Sequence, residues 1–268
     1  LDLNLPGEAI AVLEPILDSS LAGHALFDSV VPGFLAEAHH TLGNYERELE
    51  YANLGLEHFP EESDFYFAKV RALAAMGQVE AVNNVIEEFR RAQTVRWSVG
   101  WLMMEAAREL RAHGHRQDGD AIAERSVKWY ENHPPEEAWE ARFFGAALWT
   151  AGRVDDAEEL AVKWAAREPS ESRWAVRRAI NRATSGDDDT ARQISENLPA
   201  GDDPRARAQR IYWQGAIAAH LGEKDRAVAL LAEAFSRGHR FEVHVHQVIS
   251  WEPLWDYPPF QELIRPKG

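Results

Sequence analysis

The sequence predicts an all-α fold: a right-handed superhelical solenoid of helical hairpins with a C-terminal capping helix. Three observations predict it. Six glycines, Gly43, Gly77, Gly114, Gly152, Gly186 and Gly222, follow one another at steps of 34, 37, 38, 34 and 36 residues. Five residues beyond most of them a small or apolar residue (Val82, Ala157, Ala191, Ala227) opens a new helical stripe. Alanine is abundant and β-branched runs are scarce, which favours helix over strand. A period of this length is the mark of stacked helix–turn–helix units. Such units pack only on their neighbours, so the core grows lengthwise and a single buried catalytic pocket is not expected.

The elements follow in order. Residues 5–19, around PGEAIAVLEPILD, read as a lone second helix without its preceding first helix; with no methionine at Leu1, the chain is expected to be a fragment of a longer protein. The unit at 29–62 has a first helix over about Pro32–Leu42, a turn at Gly43-Asn44 and a second helix ended by Pro60. Tyr45, Leu49, Ala52 and Leu56 recur at three to four residues and give that helix one apolar stripe. The unit at 63–96 opens on Ser63, expected as a helix cap, and turns at Gly77-Gln78. That at 100–134 runs through WLMMEAARELRAH and Gly114 to Tyr130, and Pro134-Pro135 stop it. At 138–171 Ala141, Phe144, Gly145 and Leu148 share one face, with Ala157, Leu160, Ala161 and Trp164 inward on the second helix. The unit at 172–199 is irregular, because Arg178 and Arg182 stand where apolar residues are expected. The last, at 208–238, follows the cap-and-proline pair Asp203-Pro204. Residues 239–268 leave the pattern; they read as a loop and a short helix near Pro259–Ile264 that caps the last apolar edge.

Composition excludes several functions. The net charge of −15 speaks against a general nucleic-acid binder, which needs a basic surface to release phosphate counterions. No stretch reaches the roughly 20 apolar residues a membrane helix requires, so this segment is not expected to insert in a membrane. Without cysteine the chain has no disulfide, thiolate metal site or cysteine nucleophile. A cytoplasmic location is the expectation, although a cysteine-free chain suits the periplasm as well.

The stretches LGNYERELEYANLGLEHFP and AGRVDDAEELAVKWAAREP resemble tetratricopeptide repeats in their small–glycine–small–proline pattern, and the resemblance covers about residues 5–238. Three positions depart from it. Glu48 stands where alanine is usual, Gly119 replaces alanine in the third unit, and the fifth unit lacks its closing proline. The tail WEPLWDYPPFQELIRPKG is similar to the closing segment of bacterial multidomain signalling proteins, in which such arrays follow a serine/threonine kinase, a cyclase or a winged-helix regulator. The resemblance implies a non-catalytic interaction region without a cofactor; no glycine-rich loop, HRD or DFG element occurs in the chain.

The resemblance also implies that the first helix of each unit lines a concave groove. The positions expected to face it are Glu37, His40, Asp64, Phe67, Arg71, Trp101, Met104, Arg108, Arg111, Trp139, Arg142, Ala146, Trp149, Arg173, Val176, Ile180, Tyr212 and His220. The set is rich in arginine, which binds carboxylates bidentately, and in aromatics, which supply rigid contact area. It points to a protein or peptide partner, acidic or presenting a free C-terminus. The other reading is that the arginines neutralise acids on neighbouring helices and the tryptophans fill gaps between repeats. At the level of function the alternative is a self-associating module that positions an upstream domain, in which case the chain is a homo-oligomer.

The remaining chemistry is sparse. His244 and His246 would face one way on an extended segment, but a metal site needs more than two ligands. Asp187-Asp188-Asp189 is too short for a calcium loop. His39 and His40 are adjacent on a helix and face different directions, so no site is assigned to them.

Overall fold

The structure, a computed structural model, describes residues 4–21, 28–92, 97–168, 171–199 and 203–267. Among these residues it is helical throughout, with no strand. The chain divides into two compact units, Leu1–Asn132 with Pro266–Gly268, and His133–Arg265. The first unit holds α1 (Pro6–Leu21), α2 (Val30–Thr41), α3 (Tyr45–His58), α4 (Ser63–Ala75), α5 (Val79–Ala92), α6 (Val99–Ala112) and α7 (Arg116–Asn132). The second holds α8 (Ala138–Thr150), α9 (Val154–Arg167), α10 (Ser172–Thr184), α11 (Asp188–Glu196), α12 (Pro204–His220), α13 (Lys224–Ser236), a 3-10 helix (Ile249–Leu254) and α14 (Pro258–Ile264). Six hairpins result, α2/α3 through α12/α13, three in each unit.

One turn is used six times. Each periodic glycine sits at φ between 69° and 87°, a region closed to most side chains. The residue after it donates its N–H to the carbonyl five positions back: Asn44 to His39, Gln78 to Leu73, His115 to Leu110, Arg153 to Leu148, Asp187 to Arg182 and Glu223 to Ala218, all at 2.8–2.9 Å. This is the Schellman closure, which satisfies a carbonyl the helix end leaves open. The second helix then starts two residues beyond the glycine in every case. The fifth residue after each glycine (Glu48, Val82, Gly119, Ala157, Ala191, Ala227) is buried against the first helix.

Gly119 shows how tight that crossing is. A Cβ there would lie 2.7 Å from the Ala107 carbonyl oxygen and 2.7 Å from Arg111 Cγ. Glycine, not alanine, is therefore required between α6 and α7. Gly55 plays a similar part against the Phe65 ring on α4, whose carbons would come within 2.2 Å of a Cβ.

Buried apolar side chains gather in separate clusters along each unit. In the first, Leu17, Leu35, Ala36, Tyr51, Ala52 and Ala68 join α1 to the first hairpin and α4. In the second, Trp164 stacks on Trp174 with ring centroids 6.0 Å apart. At its C-terminal end Phe241, Val245, Trp251, Leu254 and Phe260 close over Ala216, Ala227 and Leu231 of the last hairpin.

Some elements differ from expectation. Ser63 does not cap α4; Glu62 holds the cap position and Ser63 is buried in the first turn. The helix α6 begins at Val99, because Ser98 accepts a hydrogen bond from the Trp101 amide at 3.2 Å. Residues 243–247 form turns rather than an extended segment, so the expected alignment of His244 with His246 does not arise. Instead His246 Nδ1 contacts the Val243 carbonyl at 3.1 Å and His244 Nδ1 meets Gln247 Nε2 at 2.9 Å. Asp187 caps α11 through the Thr190 amide.

Candidate functional site

In the first unit the first helices α2, α4 and α6 bring together an ionic cluster that the repeat pattern does not require. Its centre is Glu48 on α3, fully buried at 0% exposure. One Glu48 oxygen takes Arg71 Nε at 2.7 Å and Nη2 at 2.6 Å, an end-on fork from α4. The other meets His40 Nδ1 on α2 at 2.6 Å. The far nitrogen of His40, Nε2, lies 3.4 Å from Glu109 Oε1 on α6, and His113 Nε2 lies 2.8 Å from the same oxygen. Tyr45 packs edge-on to His113 with centroids 5.2 Å apart.

Electrostatics follow from burial. Desolvation holds the His40 pKa below its ordinary value, and Glu48 and Glu109 offset this only in part. His40 Nδ1 and the Glu48 carboxylate share a buried hydrogen bond. Burial likewise raises Tyr45 to about 12, with Glu109 and Glu48 adding to it. For Arg71 burial works the other way, yet the carboxylates of Glu48, Glu105, Glu37 and Glu109 more than offset it and hold the guanidinium charged. One arginine therefore sits in the field of four glutamates from three helices.

The predicted groove residues divide by position. Arg71 and Arg111 are buried, the first on Glu48 and the second paired with Asp120. Arg108 lies 3.8 Å from Glu105. Met104 is wholly enclosed. Phe67 and Trp101 are half-buried and meet edge to face at 4.9 Å. Trp97 joins them 4.2 Å from Trp101, and its Nε1 donates to Asp64 Oδ1 at 2.8 Å. In the second unit Arg142 and Arg173 flank Glu171, each at 3.9 Å. Trp139 packs on Phe143, and Trp149 meets the edge of His220 at 5.6 Å. Tyr212 is buried: it accepts from Trp251 Nε1 at 2.8 Å and stacks on His239, which ties it to the C-terminal cap. All five arginines thus have a carboxylate within 4 Å, on another element for Arg71, Arg111 and Arg142 and on their own helix or its cap for Arg108 and Arg173.

Sequence reasoning passed over Glu48, Glu105, Glu109 and His40 as a group. A signal was present: Glu48 breaks the repeat pattern at the position where two helices cross most closely. A charge kept there needs partners, and Arg71 on α4 and His40 on α2 supply them.

A solved tetratricopeptide repeat protein from Parabacteroides merdae ATCC 43184 superposes on 97% of this chain and 97% of its own, with a TM-score of 0.53 and 12% sequence identity. The fold is tetratricopeptide-repeat-like. The structure of YrrB, described as a tetratricopeptide repeat protein with an unusual peptide-binding site, covers 81% of this chain and 96% of its own at 13% identity, but its TM-score of 0.35 is too low to carry an argument. No family model matches the sequence, and no curated protein matches it. At such identities the tetratricopeptide-like likeness speaks for the fold, and the site must be argued from its own residues.

Proposed function

We propose that this chain is a non-catalytic interaction module that holds a peptide or partner protein on its first-helix face. The observation that carries this reading is the half-exposed aromatic corner of Phe67, Trp97 and Trp101 on α4 and α6. Large rings that a fold leaves at its surface, above a floor already locked by hydrogen bonds, are the usual anchors of an interface. In the first unit Met104 and Arg108 support the same face, and Arg71 and Arg111 hold it in shape; in the second unit Trp139, Arg142, Trp149, Arg173 and Tyr212 belong to a candidate surface of their own. The tail's similarity to bacterial signalling proteins enters here as well: an attached kinase, cyclase or regulator would use this module to find its target.

The test is affinity capture with the intact chain and with the Phe67→Ala/Trp101→Ala double variant. We expect a partner retained by the former and lost by the latter, with unchanged helicity by circular dichroism. Equal capture by both chains overturns the reading. Self-association is a second reading, favoured by the exposed Val12, Val30 and Phe34 on α1 and α2. Light scattering decides it: a mass that rises with concentration and falls with Phe34→Asp supports a dimer through that edge.

A further inference from the structure

The expectation of an acidic partner rested on an apparent excess of arginine, and in the first unit the charge balance runs the other way. Arg71, Arg108 and Arg111 are there, but Glu48, Glu105 and Asp120 hold them, and Glu37, Glu109 and Asp64 stand on the same face. Six carboxylates thus accompany three guanidinium groups. The imbalance extends to the whole unit: residues 1–132 carry 22 acidic and 11 basic side chains, against 22 and 17 in residues 133–265.

The aromatic corner lies beside this carboxylate excess. Asp64, exposed at the start of α4, is tied to the rim by the indole N–H of Trp97. Ring faces attract cations through their quadrupole, tryptophan most strongly, and a carboxylate at the rim adds a charge-assisted hydrogen bond. Among the described residues, the side chains at this corner offer a cation ring faces and one carboxylate, Asp64.

Resting on the interaction reading above, we infer that the occupant of this face is a basic peptide segment, with a lysine or arginine side chain seated against Trp97, Trp101 and Phe67 and paired with Asp64. The acidic floor steers the segment in and the rings fix its register. This division matches a general pattern, in which charge sets encounter and sign while aromatics set affinity.

The test is selection of binders from a random peptide display library by the full-length chain, followed by fluorescence anisotropy with the selected peptides. The expected result is enrichment in lysine or arginine. Trp101→Ala then weakens binding at least about tenfold and Asp64→Asn roughly threefold, while Glu124→Gln, an acid on α7, changes nothing. The tryptophan variant is the decisive arm, because it leaves net charge untouched and so separates a built site from diffuse attraction. Enriched peptides that are acidic or neutral, or basic peptides that bind the Trp101→Ala chain equally well, overturn the inference while the interaction reading stands. A library that yields no binder to the chain overturns both.

Discussion

Glu48 carries more of the first unit's organisation than any neighbouring side chain. Alanine at this position would suit the helix crossing, yet the carboxylate binds Arg71 by two nitrogens and orients His40. Removing one partner of a buried pair leaves the other charged and desolvated, at a cost of about 3–5 kcal/mol. Glu48→Ala should therefore destabilise the chain by roughly that amount in denaturant melts. The Glu48→Ala/Arg71→Met double variant should recover most of the loss, since a well-packed apolar pair of similar volume is often neutral relative to a buried ion pair. Equal destabilisation by the single and double variants would show that the pair is not the cause. A second buried ionisable group acts alone. Burial, aided by the nearby Arg177 charge, pushes His220 down to about 4 from 6.5, so the folded chain needs the neutral ring. As pH falls below about 6.5 the unfolded chain takes up the proton first, and the folded chain follows only near 4. The stability is thus whole above 6.5 and drains between those values, by on the order of 3 kcal/mol in total. Subtracting the pH profile of His220→Gln from that of the unaltered chain should isolate this slope. Parallel profiles would remove the assignment.

At the scale of elements, the hairpins were legible because their turn is a chemical requirement. Positive φ demands glycine, the Schellman closure fixes where the next helix starts, and the residue five positions on is buried at the helix crossing. Those three constraints recur in the letters themselves. The ends of helices were less legible: α6 starts early because Ser98 rather than a later residue caps it, and α4 passes over Ser63 because Glu62 takes the cap position. The site was legible only in part. Phe67 and Trp101 could be placed on the first-helix face by helical spacing. The fates of Arg71 and Arg111 could not, because each depends on an acid on another helix, and sequence spacing within one helix says nothing of its neighbour's register. Gly119 offers a test of the crossing rule. Its Cβ-free surface meets a backbone carbonyl that cannot move away, so Gly119→Ala should cost about 1–3 kcal/mol by overpacking despite alanine's better helix propensity. At an exposed helix position the same exchange stabilises by up to about 1 kcal/mol; a gain here would mean that α6 and α7 can separate.

At the scale of the whole molecule, stability in a repeat array is expected to be local, because each hairpin packs chiefly on its neighbours. The second unit ends where Phe260 of α14, Trp251 and Leu254 cover Ala216, Ala227 and Leu231. Phe260 is almost fully enclosed, at 1% exposure, and deleting such a ring costs about 3–5 kcal/mol. Were the chain one cooperative core, that loss would speed opening everywhere alike. In a chain of nearest-neighbour contacts it should act first on α12 and α13 and fade along the array. Hydrogen exchange distinguishes the two. Phe260→Ala should raise amide exchange in α12 and α13 strongly and leave α2 to α5, together with the Glu48 cluster, at their original protection. Uniform acceleration through both units would mean that the hairpins do not behave as separable steps, and that the aromatic corner of α4 and α6 feels the state of the C-terminal cap.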